Sequence, residues 1–467
     1  MDKSKEIIQV LRASIGKYRS SSAPFRIDCL NRLEKCIISR KDEIVAALKS
    51  DFQKPELETL YTDIYVVLNE IRYAKRNLKK WMRPNRAPFR IATIGSQFYS
   101  YPESKGLVLI ISPWNYPFNL SLIPLVNVIA AGNTAILKPS EFSAASAKLI
   151  KSIVEDVFAS DHVAVVNGGA DVGQTLLKEQ YNHIIFTGSQ GVARIVMEKA
   201  SLFCTPVTLE LGGKNPLIIA EDANLKMTAE RVVWGKWMNA GQTCLGVDYA
   251  MVHENVAEEF QSELLKAMES SFTELYPKSK NEDLACIIHQ KAFDQQITWL
   301  DEAITSGARV IAGNYRDKNL RYISPTVLRN VPLTSALMQH EIFGPILPIL
   351  TFKNKEQALE LANAHGNPLC AYVFSCSREF QSYMLRNLSS GSFGINDLIA
   401  QFYHPALPFG GINQSGIGKT HGKWGFDEFS HHKAVIRNRF SFNWIKLVSA
   451  PYSDFKKKIA NIVIRWL

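Results

Sequence analysis

One cysteine stands where its neighbours would allow it to act as a nucleophile. Cys244 lies in the stretch 239-NAGQTCLG-246, directly after the apolar run 232-VVWGKWM-238. The glycines of this stretch leave the backbone free to form a turn that presents the side chain and an N–H group together. A thiol has an ordinary pKa of about 8.5 and is a weak nucleophile until it is deprotonated. No Cys-His motif is present, and a lone cysteine is more often buried in a core, so this stretch alone leaves both interpretations open.

Polar residues stand at the ends of several segments predicted as strands. Asn115 follows 107-LVLIIS-112, and Lys138 and Glu141 stand where 134-TAILKP-139 ends. Open α/β sheets bind ligands outside the carboxyl ends of their strands. These side chains are therefore candidates for a binding cleft.

Three further segments contain glycines or a carboxylate that could line a cleft. Gly188 and Gly191 of the sequence FTGSQG stand where a predicted strand meets a helix, and helix N-termini with small residues suit phosphate. Their spacing is not that of Gly-x-Gly-x-x-Gly. Glu210 precedes the glycine pair of ELGGKNP, and Glu341 begins EIFGP. Each carboxylate is either solvated or placed in a cleft.

The elements around these residues predict an α/β fold. The first third of the chain shows apolar residues at helical spacing, as in residues 28–52. From about residue 106, short β-branched runs alternate with helical segments, which is typical of βαβ units and a parallel sheet. The second half repeats this style in 346-ILPILTF-352 and 370-CAYVFS-375, so we expect two α/β domains. Residues 88–103 alternate like a hairpin or an edge ribbon.

Length and composition indicate a reduced, cytoplasmic protein. A chain of 467 residues is too long for one hydrophobic core. The start, MDKSKEIIQVLRAS, lacks the apolar core of a signal peptide, and no apolar run is long enough to cross a membrane. Seven cysteines without a CxxC pair predict neither a disulfide framework nor a metal site.

The net charge of +10 is concentrated in two stretches. Residues 71–102 carry eight Lys and Arg and no acid, and residues 437–467 carry seven against Asp454 alone. Basic surfaces usually point to nucleic acid or anionic lipid. Because no nucleic-acid motif is present, we expect a solvated or interface face instead.

Taken together, the motifs resemble the aldehyde dehydrogenase superfamily. PWN, LKPSE, FTGS, ELGGKNP, GQTC, EIFGP and PFGG occur in this order over roughly residues 1–440. The phrases 114-WNYPFNL-120, 205-TPVTLELGGKNP-216 and 421-HGKWGFDEFSH-431 are similar to the class 3 and fatty aldehyde dehydrogenase branch. The resemblance implies a Rossmann-like cofactor domain, a second α/β catalytic domain and a small β-ribbon oligomerisation element.

The resemblance also implies domain bounds and an assembly. The expected parts are a cofactor domain of residues 1–87 and 104–209, a catalytic domain of 210–426, a bridging element of 88–103 and 427–445, and a tail of 446–467. Members of this branch typically form homodimers.

Roles for individual residues follow from the resemblance. It implies that Cys244 is the nucleophile, Glu210 the general base, and Asn115 a donor of the oxyanion hole beside the Cys244 backbone N–H. The expected cofactor-binding residues are Trp114, Lys138, Glu141, Gly188, Ser189, Gly191, Glu341 and Phe343. The expected substrate pocket contains Tyr116, Trp234, Thr243 and Phe402.

The implied reaction is the NAD(P)-dependent oxidation of medium or long aliphatic, or aromatic, aldehydes to acids through a thiohemiacetal and a thioester. Glu141 should accept ribose hydroxyls and repel a 2′-phosphate, which favours NAD, while the adjacent Lys138 keeps NADP as the alternative. The family's Gly-Ser-Thr-x-x-Gly pattern is altered at two places, by Gln190 and Ala193. An acyl-transferring reductase, and a non-catalytic structural or aldehyde-sequestering protein, are the alternative functions.

The last stretch has the pattern of a basic amphipathic helix. Its apolar residues at helical spacing are Tyr452, Phe455, Ile459, Ile462, Val463 and Trp466. Lysines 456–458 and Arg465 fall mostly off that stripe. Such a helix can lie on an anionic membrane, or its stripe can pack against its own domain or a partner subunit, which we favour.

Overall fold

The N-terminal region is helical, as its apolar spacing predicts. A computed structural model describes residues 3–88, 96–272, 279–438, 446 and 449–466. The first helices are α1 (Lys3–Ala13), α2 (Ile15–Arg19), α3 (Ala23–Ser39), α4 (Lys41–Phe52), α5 (Glu56–Thr59) and α6 (Val66–Trp81), with a π-helical turn at Leu60–Tyr65. The predicted helical stretch 28–52 thus forms two helices, separated at Arg40.

A mainly parallel sheet follows in the order β17–β7–β6–β3–β4–β5, with β17 antiparallel at the edge. Its strands are β3 (Leu107–Ile111), β4 (Thr134–Lys138), β5 (Val163–Val165), β6 (His183–Gly188), β7 (Val207–Leu211) and β17 (Gly416–Ile417). The helices between them are α7 (Pro117–Ala131), α8 (Ala144–Val157), α9 (Ala170–Leu176) and α10 (Gln190–Ser201).

Helices cover both faces of this sheet. Every residue of α7 is buried, because α7 lies between the sheet and the outer helices α3 and α6. Side chains of α1, α9 and α10 share a separate apolar cluster with the other face, including Ile8, Leu176 and Val196 against Ile136 and Ile184. Burial on both faces explains why these strands are continuous apolar runs.

The second sheet has the order β10–β13–β14–β9–β8–β15–β16, again with one antiparallel edge strand, β10. Its strands are β8 (Pro216–Ile219), β9 (Tyr249–His253), β10 (Arg309–Ala312), β13 (Thr326–Arg329), β14 (Ile346–Phe352), β15 (Cys370–Phe374) and β16 (Ser392–Ile395). A separate pair consists of β11 (Arg316–Asp317) and β12 (Tyr322–Ile323).

Helices flank the second sheet as well. One face packs on α11 (Leu225–Trp237) and α12 (Ala257–Phe272). The other face packs on α13 (Gln290–Thr305), α14 (Ala336–Gln339), α15 (Lys355–Asn363) and α16 (Arg378–Asn387). One apolar cluster reaches from α7 and the first sheet to α11 and the second sheet. The two sheets thus share a core, and the functional cleft lies where they meet.

A ribbon links distant parts of the chain. It contains β1 (Asn85–Arg86), β2 (Ser96–Ser104) and β18 (Ser430–Asn438), with β2 in the middle. Strands β2 and β18 pair from Ser104 with Ser430 to Ser96 with Asn438. The alternating segment 88–103 therefore contributes to a ribbon, and its residues 89–95 lie outside the described part of the chain.

Two further helices have their bounds in the described part of the chain, α17 (Gly422–Glu428) and α18 (Asp454–Trp466). In the part of the chain that the structure describes, no helix combines the length and the hydropathy that a membrane crossing requires. Over the same residues, no cluster of His, Cys, Asp and Glu has the arrangement of a metal site.

Candidate active site

A cavity of about 270 Å³ lies at the carboxyl ends of the first sheet's strands, where that sheet meets the second. Three predicted catalytic residues, Cys244, Glu210 and Asn115, line this cavity together. The predicted cofactor residues that also line it are Trp114, Gly188, Ser189, Glu341 and Phe343. Residues from both sheets therefore converge on one cleft.

The loop before Cys244 has an unusual backbone. Asn239, Ala240 and Gly241 have φ values of 56°, 53° and 72°, in the left-handed region that non-glycine residues adopt at a cost. A Cβ at Gly241 would overlap the carbonyl oxygen of Gly344. Glycine is thus required there for a positive φ and for a close approach of two loops.

Buried hydrogen bonds hold this loop in place. The side chain of Gln242 donates to the carbonyl of Cys286 at 3.0 Å and accepts from the backbone N–H of Ile288 at 3.0 Å. The Asn239 side chain donates to the carbonyl of Asn115 at 2.9 Å. Because these partners belong to separate segments, the position of Cys244 depends on the assembled fold.

Asn115 lies next to the cysteine loop. Its Nδ2 donates to the carbonyl oxygen of Gln242 at 3.0 Å, and the residue is buried. A side-chain amide nitrogen carries two N–H donors, so the second remains for a ligand oxygen in the cleft.

The Cys244 thiol is a weak acid in this environment. Burial above all, together with the carboxylates of Glu341 and Glu210, raises its pKa to about 12. A thiol in such surroundings is protonated near neutral pH. Reaction at this sulfur therefore requires a base in the cleft.

Glu210 has the properties of that base. It lies in β7, opposite Thr187 of β6 and Gly416 of β17. Its side chain is buried, and neither carboxylate oxygen accepts a hydrogen bond of ordinary geometry from a described residue. Burial raises its pKa well above the usual value. A carboxyl group with a raised pKa accepts protons more readily near neutral pH.

Glu341 is fixed on the opposite wall of the cleft. Its Oε1 accepts a hydrogen bond from the backbone N–H of Gly213 at 3.2 Å, and a Cβ on Gly212 would overlap its carboxylate. Lys214 donates to the carbonyls of Leu337 at 2.7 Å and His340 at 2.8 Å. The two motifs ELGGKNP and EIFGP thus hold each other. Burial raises the pKa of Glu341 to about 8.

The remaining predicted cofactor residues, Lys138, Glu141 and Gly191, are not among the residues that line this cavity. Lys138 and Glu141 form an ion pair of 2.8 Å. Ser189 is the N-cap of α10, and a Cβ on Gly191 would meet no other atom within 4 Å. The start of α10 is therefore open to an anionic ligand. Of the residues that depart from the family pattern, Ala193 is buried and Gln190 is the first residue of α10.

A second, apolar cavity adjoins the first at Cys244 and Leu120. Tyr116, Thr243 and Phe402 line it, as expected, and the Tyr116 hydroxyl lies 2.6 Å from Thr243 Oγ1. Trp234, also expected there, is 44% exposed on α11 and lines neither cavity within the described part of the chain.

Sequence reasoning missed other lining residues of the second cavity. They are Thr62, Val66, Asn119, Met238, Leu245, Ile399 and Tyr403. Most come from α6, its preceding π-helical turn and the loop after β16, and they meet only in the folded chain. The one local signal was the apolar character of the segments that contain Val66 and Ile399.

Comparison with known proteins agrees with this geometry. The sequence pattern of the aldehyde dehydrogenase family matches residues 2–435. The chain is 38% identical to the 4,4'-diaponeurosporen-aldehyde dehydrogenase of Staphylococcus aureus (strain NCTC 8325 / PS 47), covering 91% of this chain and 92% of that protein. It is 36% identical to the dimeric NADP-preferring aldehyde dehydrogenase of Canis lupus familiaris, covering 93% and 95%.

Solved structures show the same fold. The substrate-bound state of Staphylococcus aureus AldH has a TM-score of 0.94 and 35% identity, and the match covers all of both chains. An aldehyde dehydrogenase of Mycobacterium tuberculosis complexed with NAD+ matches at a TM-score of 0.84 and 25% identity, covering 93% of this chain and 90% of that chain. The glyceraldehyde-3-phosphate dehydrogenase GapN of Methanocaldococcus jannaschii complexed with NADP also matches at a TM-score of 0.84 and 25% identity, covering 94% of each chain.

Proposed function

The chain belongs to the aldehyde dehydrogenase family and is an NAD(P)-dependent oxidoreductase acting on aldehydes, and we propose that Cys244, Asn115 and Glu210 carry its reaction. One observation supports this assignment above all: the three side chains come from separate segments and line one cavity. A nucleophile, an amide donor and a carboxylate base are the groups that thioester chemistry requires.

In the proposed first step, the Cys244 sulfur bonds to the aldehyde carbon, and the thiol proton passes to the Glu210 carboxylate. The carbonyl oxygen becomes an alkoxide, which the Asn115 amide and the Cys244 backbone N–H stabilise. Removal of one such donor typically costs about 3 kcal/mol of transition-state stabilisation. The bound nicotinamide cofactor supplies the hydride acceptor.

Loss of hydride leaves a thioester on Cys244. Glu210, once it has returned its first proton to solvent, takes a proton from a water molecule. The hydroxide oxygen bonds to the thioester carbon, and the carbon–sulfur bond breaks to release the acid. General-base assistance of this kind contributes roughly 10²–10⁴-fold.

The cleft residues fit a dinucleotide. We assign the ribose and phosphate contacts to Lys138, Glu141, Ser189 and the N–H groups at Gly188 and Gly191. Glu341, fixed by Gly213, serves the nicotinamide side. Trp114 and Phe343 form an apolar wall, with ring centroids 5.5 Å apart and edge to face. Because Glu141 can accept ribose hydroxyls and repel a 2′-phosphate, we propose NAD as the preferred cofactor. The ion pair with Lys138 offsets part of that charge, which keeps NADP as the alternative.

The second cavity supports an apolar substrate. Its described lining residues include no charged side chain that could clamp a carboxylate or phosphate. The relative from Staphylococcus aureus is named for the aldehyde 4,4'-diaponeurosporen-aldehyde. We therefore propose medium or long aliphatic, or aromatic, aldehydes as substrates.

A direct test follows NADH absorbance with an aliphatic aldehyde series, using the whole chain and a Cys244→Ser control. Turnover that rises with chain length and disappears in the control supports the proposal. Folded protein without turnover would instead favour a non-catalytic or aldehyde-sequestering role. Turnover that requires an added acceptor thiol would favour an acyl-transferring relative.

We propose a homodimer for the assembly. The residues with exposed apolar side chains on or directly after α10 are Val192, Ile195, Met197, Leu202 and Phe203. The ribbon also exposes Tyr101 and Ile436. Apolar surface of this kind marks an interface. Light scattering should give twice the chain mass, and Ile195→Glu should reduce it.

The proposed division into domains follows the sheets. Residues 1–87 and 104–209 supply the strands of the first sheet except β17 and the last two residues of β7, and residues 210–426 supply the second sheet. The ribbon residues within 88–103 and 427–445 bridge them. Limited proteolysis should cut first between these parts.

For the tail, we propose contact with an anionic membrane surface from the cytoplasmic side. Phe455, Ile462 and Val463 of α18 are 68%, 59% and 43% exposed, so this apolar stripe is not covered by the described part of the chain. Lysines 456–458 add charge that attracts acidic lipid. The full chain should sediment with phosphatidylglycerol vesicles and not with phosphatidylcholine vesicles. Unchanged sedimentation of Ile462→Asp, with loss of the dimer, would instead indicate packing on a second subunit.

A further inference from the structure

One lysine outside the predicted set lies beside the proposed base. Lys419 belongs to the loop that runs from Phe409 to Thr420, which the structure closes by two backbone hydrogen bonds between Phe409 and Thr420, of 3.1 and 2.7 Å. Within this loop β17 pairs with β7, and Gly416 stands opposite Glu210. The loop is therefore held against the strand that carries the carboxylate.

The Lys419 side chain crosses this loop. Its Nζ donates to the carbonyl oxygens of Gly410 at 2.6 Å and Gly411 at 3.0 Å. A Cβ on Gly410 would lie 3.0 Å from the Lys419 Cδ and 3.1 Å from the Glu210 Oε1. The lysine stem and the carboxylate thus flank the same backbone position.

The hydrogen-bond donors of Lys419 also match the acceptors of Glu210 in kind. An ammonium group has three N–H donors, and two of those of Lys419 are used within the described residues. Both carboxylate oxygens of Glu210 are buried without a partner of ordinary geometry there. An unpaired buried carboxylate is costly unless a positive charge is near.

We propose that Lys419 is a positioning residue for Glu210: its ammonium group favours the ionised carboxylate, and its bonds to residues 410 and 411 hold the glycine turn against it. The inference rests on the proposed role of Glu210 as the base.

The other groups around Glu210 determine how this pairing acts. The Thr420 hydroxyl, like Lys419, favours the ionised form, whereas Glu428 opposes it. Cys244 and Glu341 face the same carboxylate from the cleft. Lys419 is the one positive side chain among the described groups that act directly on Glu210, so its removal should raise the pKa of that carboxyl group.

The test compares Lys419→Met and Lys419→Arg in the full chain, with Lys423→Met as the matched control. Lys423 lies nearby on α17, pairs with Asp427, and is not among the groups that act on Glu210. In Lys419→Met the acid limb of the kcat–pH profile should move to higher pH. We expect a shift of roughly half to one pH unit for the loss of a half-buried charge. Lys419→Arg and Lys423→Met should leave that limb unshifted. An equal loss of kcat at every pH, without a shift, would overturn the proposal, since that is the effect of a structural role alone.

A second readout does not depend on turnover. Infrared difference spectra against Glu210→Gln isolate the carboxyl C=O stretch of Glu210, whose titration should move to higher pH in Lys419→Met. No movement there overturns the inference about Lys419. By contrast, an acid limb of kcat that survives in Glu210→Gln would contradict the role of Glu210 as base, whatever the spectra show for Lys419.

Discussion

The backbone N–H of Asn239 donates to Oε2 of Glu58 at 2.9 Å, which ties the left-handed turn before Cys244 to α5. Burial raises the pKa of this carboxyl group from 4.5 to about 7. The group that supports the catalytic loop is therefore itself close to titration at neutral pH.

Replacement of Glu58 by Gln should change how stability depends on pH. The folded chain binds a proton at Glu58 more tightly than the unfolded chain, so this group's contribution is full below pH 4.5 and is lost as pH rises through about 7. Gln keeps an acceptor for Asn239 but does not titrate. The free energy of unfolding of Glu58→Gln, relative to the parent, should rise across this window by about 1.4 kcal/mol per pH unit. Denaturant titrations at several pH values measure this, and a constant difference would contradict it.

Replacement of Gly241 by Ala should destabilise the protein and abolish activity. The new Cβ would overlap the Gly344 carbonyl and strain a positive φ, so we expect a loss of roughly 3 kcal/mol or more. Gly307→Ala is the matched control, because Gly307 also has a positive φ but no atom within 4 Å of a Cβ. Thermal unfolding should show a loss of about 1 kcal/mol for the control, and equal losses would count against the overlap.

Cys244 should be alkylated more slowly than the exposed cysteines of the chain. With a pKa raised to about 12, it should react with iodoacetamide near pH 7.5 roughly a hundredfold or more slowly than an ordinary exposed thiol. Cys204 and Cys376 are exposed and should be labelled first. Above pH 8, where Glu341 is ionised, Glu341→Gln removes a charge that raises the Cys244 pKa and should therefore speed labelling of Cys244. Peptide mapping by mass spectrometry measures each site, and early modification of Cys244 in the parent protein would contradict this account.

Two aromatic residues should differ in their effect on chain-length preference. Phe402→Ala opens the apolar cavity next to Cys244 and should raise KM for long aldehydes more than for short ones. Trp234→Ala changes a side chain that is 44% exposed and lines neither cavity, and should leave that ratio unchanged. Steady-state kinetics across an aldehyde series compares them. A larger effect of Trp234→Ala on this ratio would indicate that the substrate lies along α11 instead.

Much of the first sheet and its ligand-binding edge could be predicted from the sequence. Strands buried on both faces are continuous apolar runs, and polar residues such as Asn115 and Lys138 mark their carboxyl ends. The strands β8 and β9 were not predicted, since their short apolar runs lie beside the glycine motifs and resemble loop segments.

The parts that escaped prediction depend on contacts between distant segments. Nothing local indicates that Val66 and Tyr403 meet beside Cys244, or that Lys419 reaches the surroundings of Glu210. Trp234 illustrates the converse: the resemblance implied a place in the substrate pocket, but its side chain on α11 is 44% exposed. The raised pKa of Cys244 also comes from carboxylates that lie far away in the sequence.

The pairing of β2 with β18 has a consequence for synthesis. Strand β2 emerges from the ribosome more than 300 residues before its partner, residues 430–438. Until then β2 has a free edge, which in other sheets invites pairing with another chain. Closing so distant a contact is slow relative to local helix formation. Nascent chains halted before residue 430 should therefore be prone to aggregate and depend on chaperones, whereas chains extended past residue 438 can seal this edge themselves.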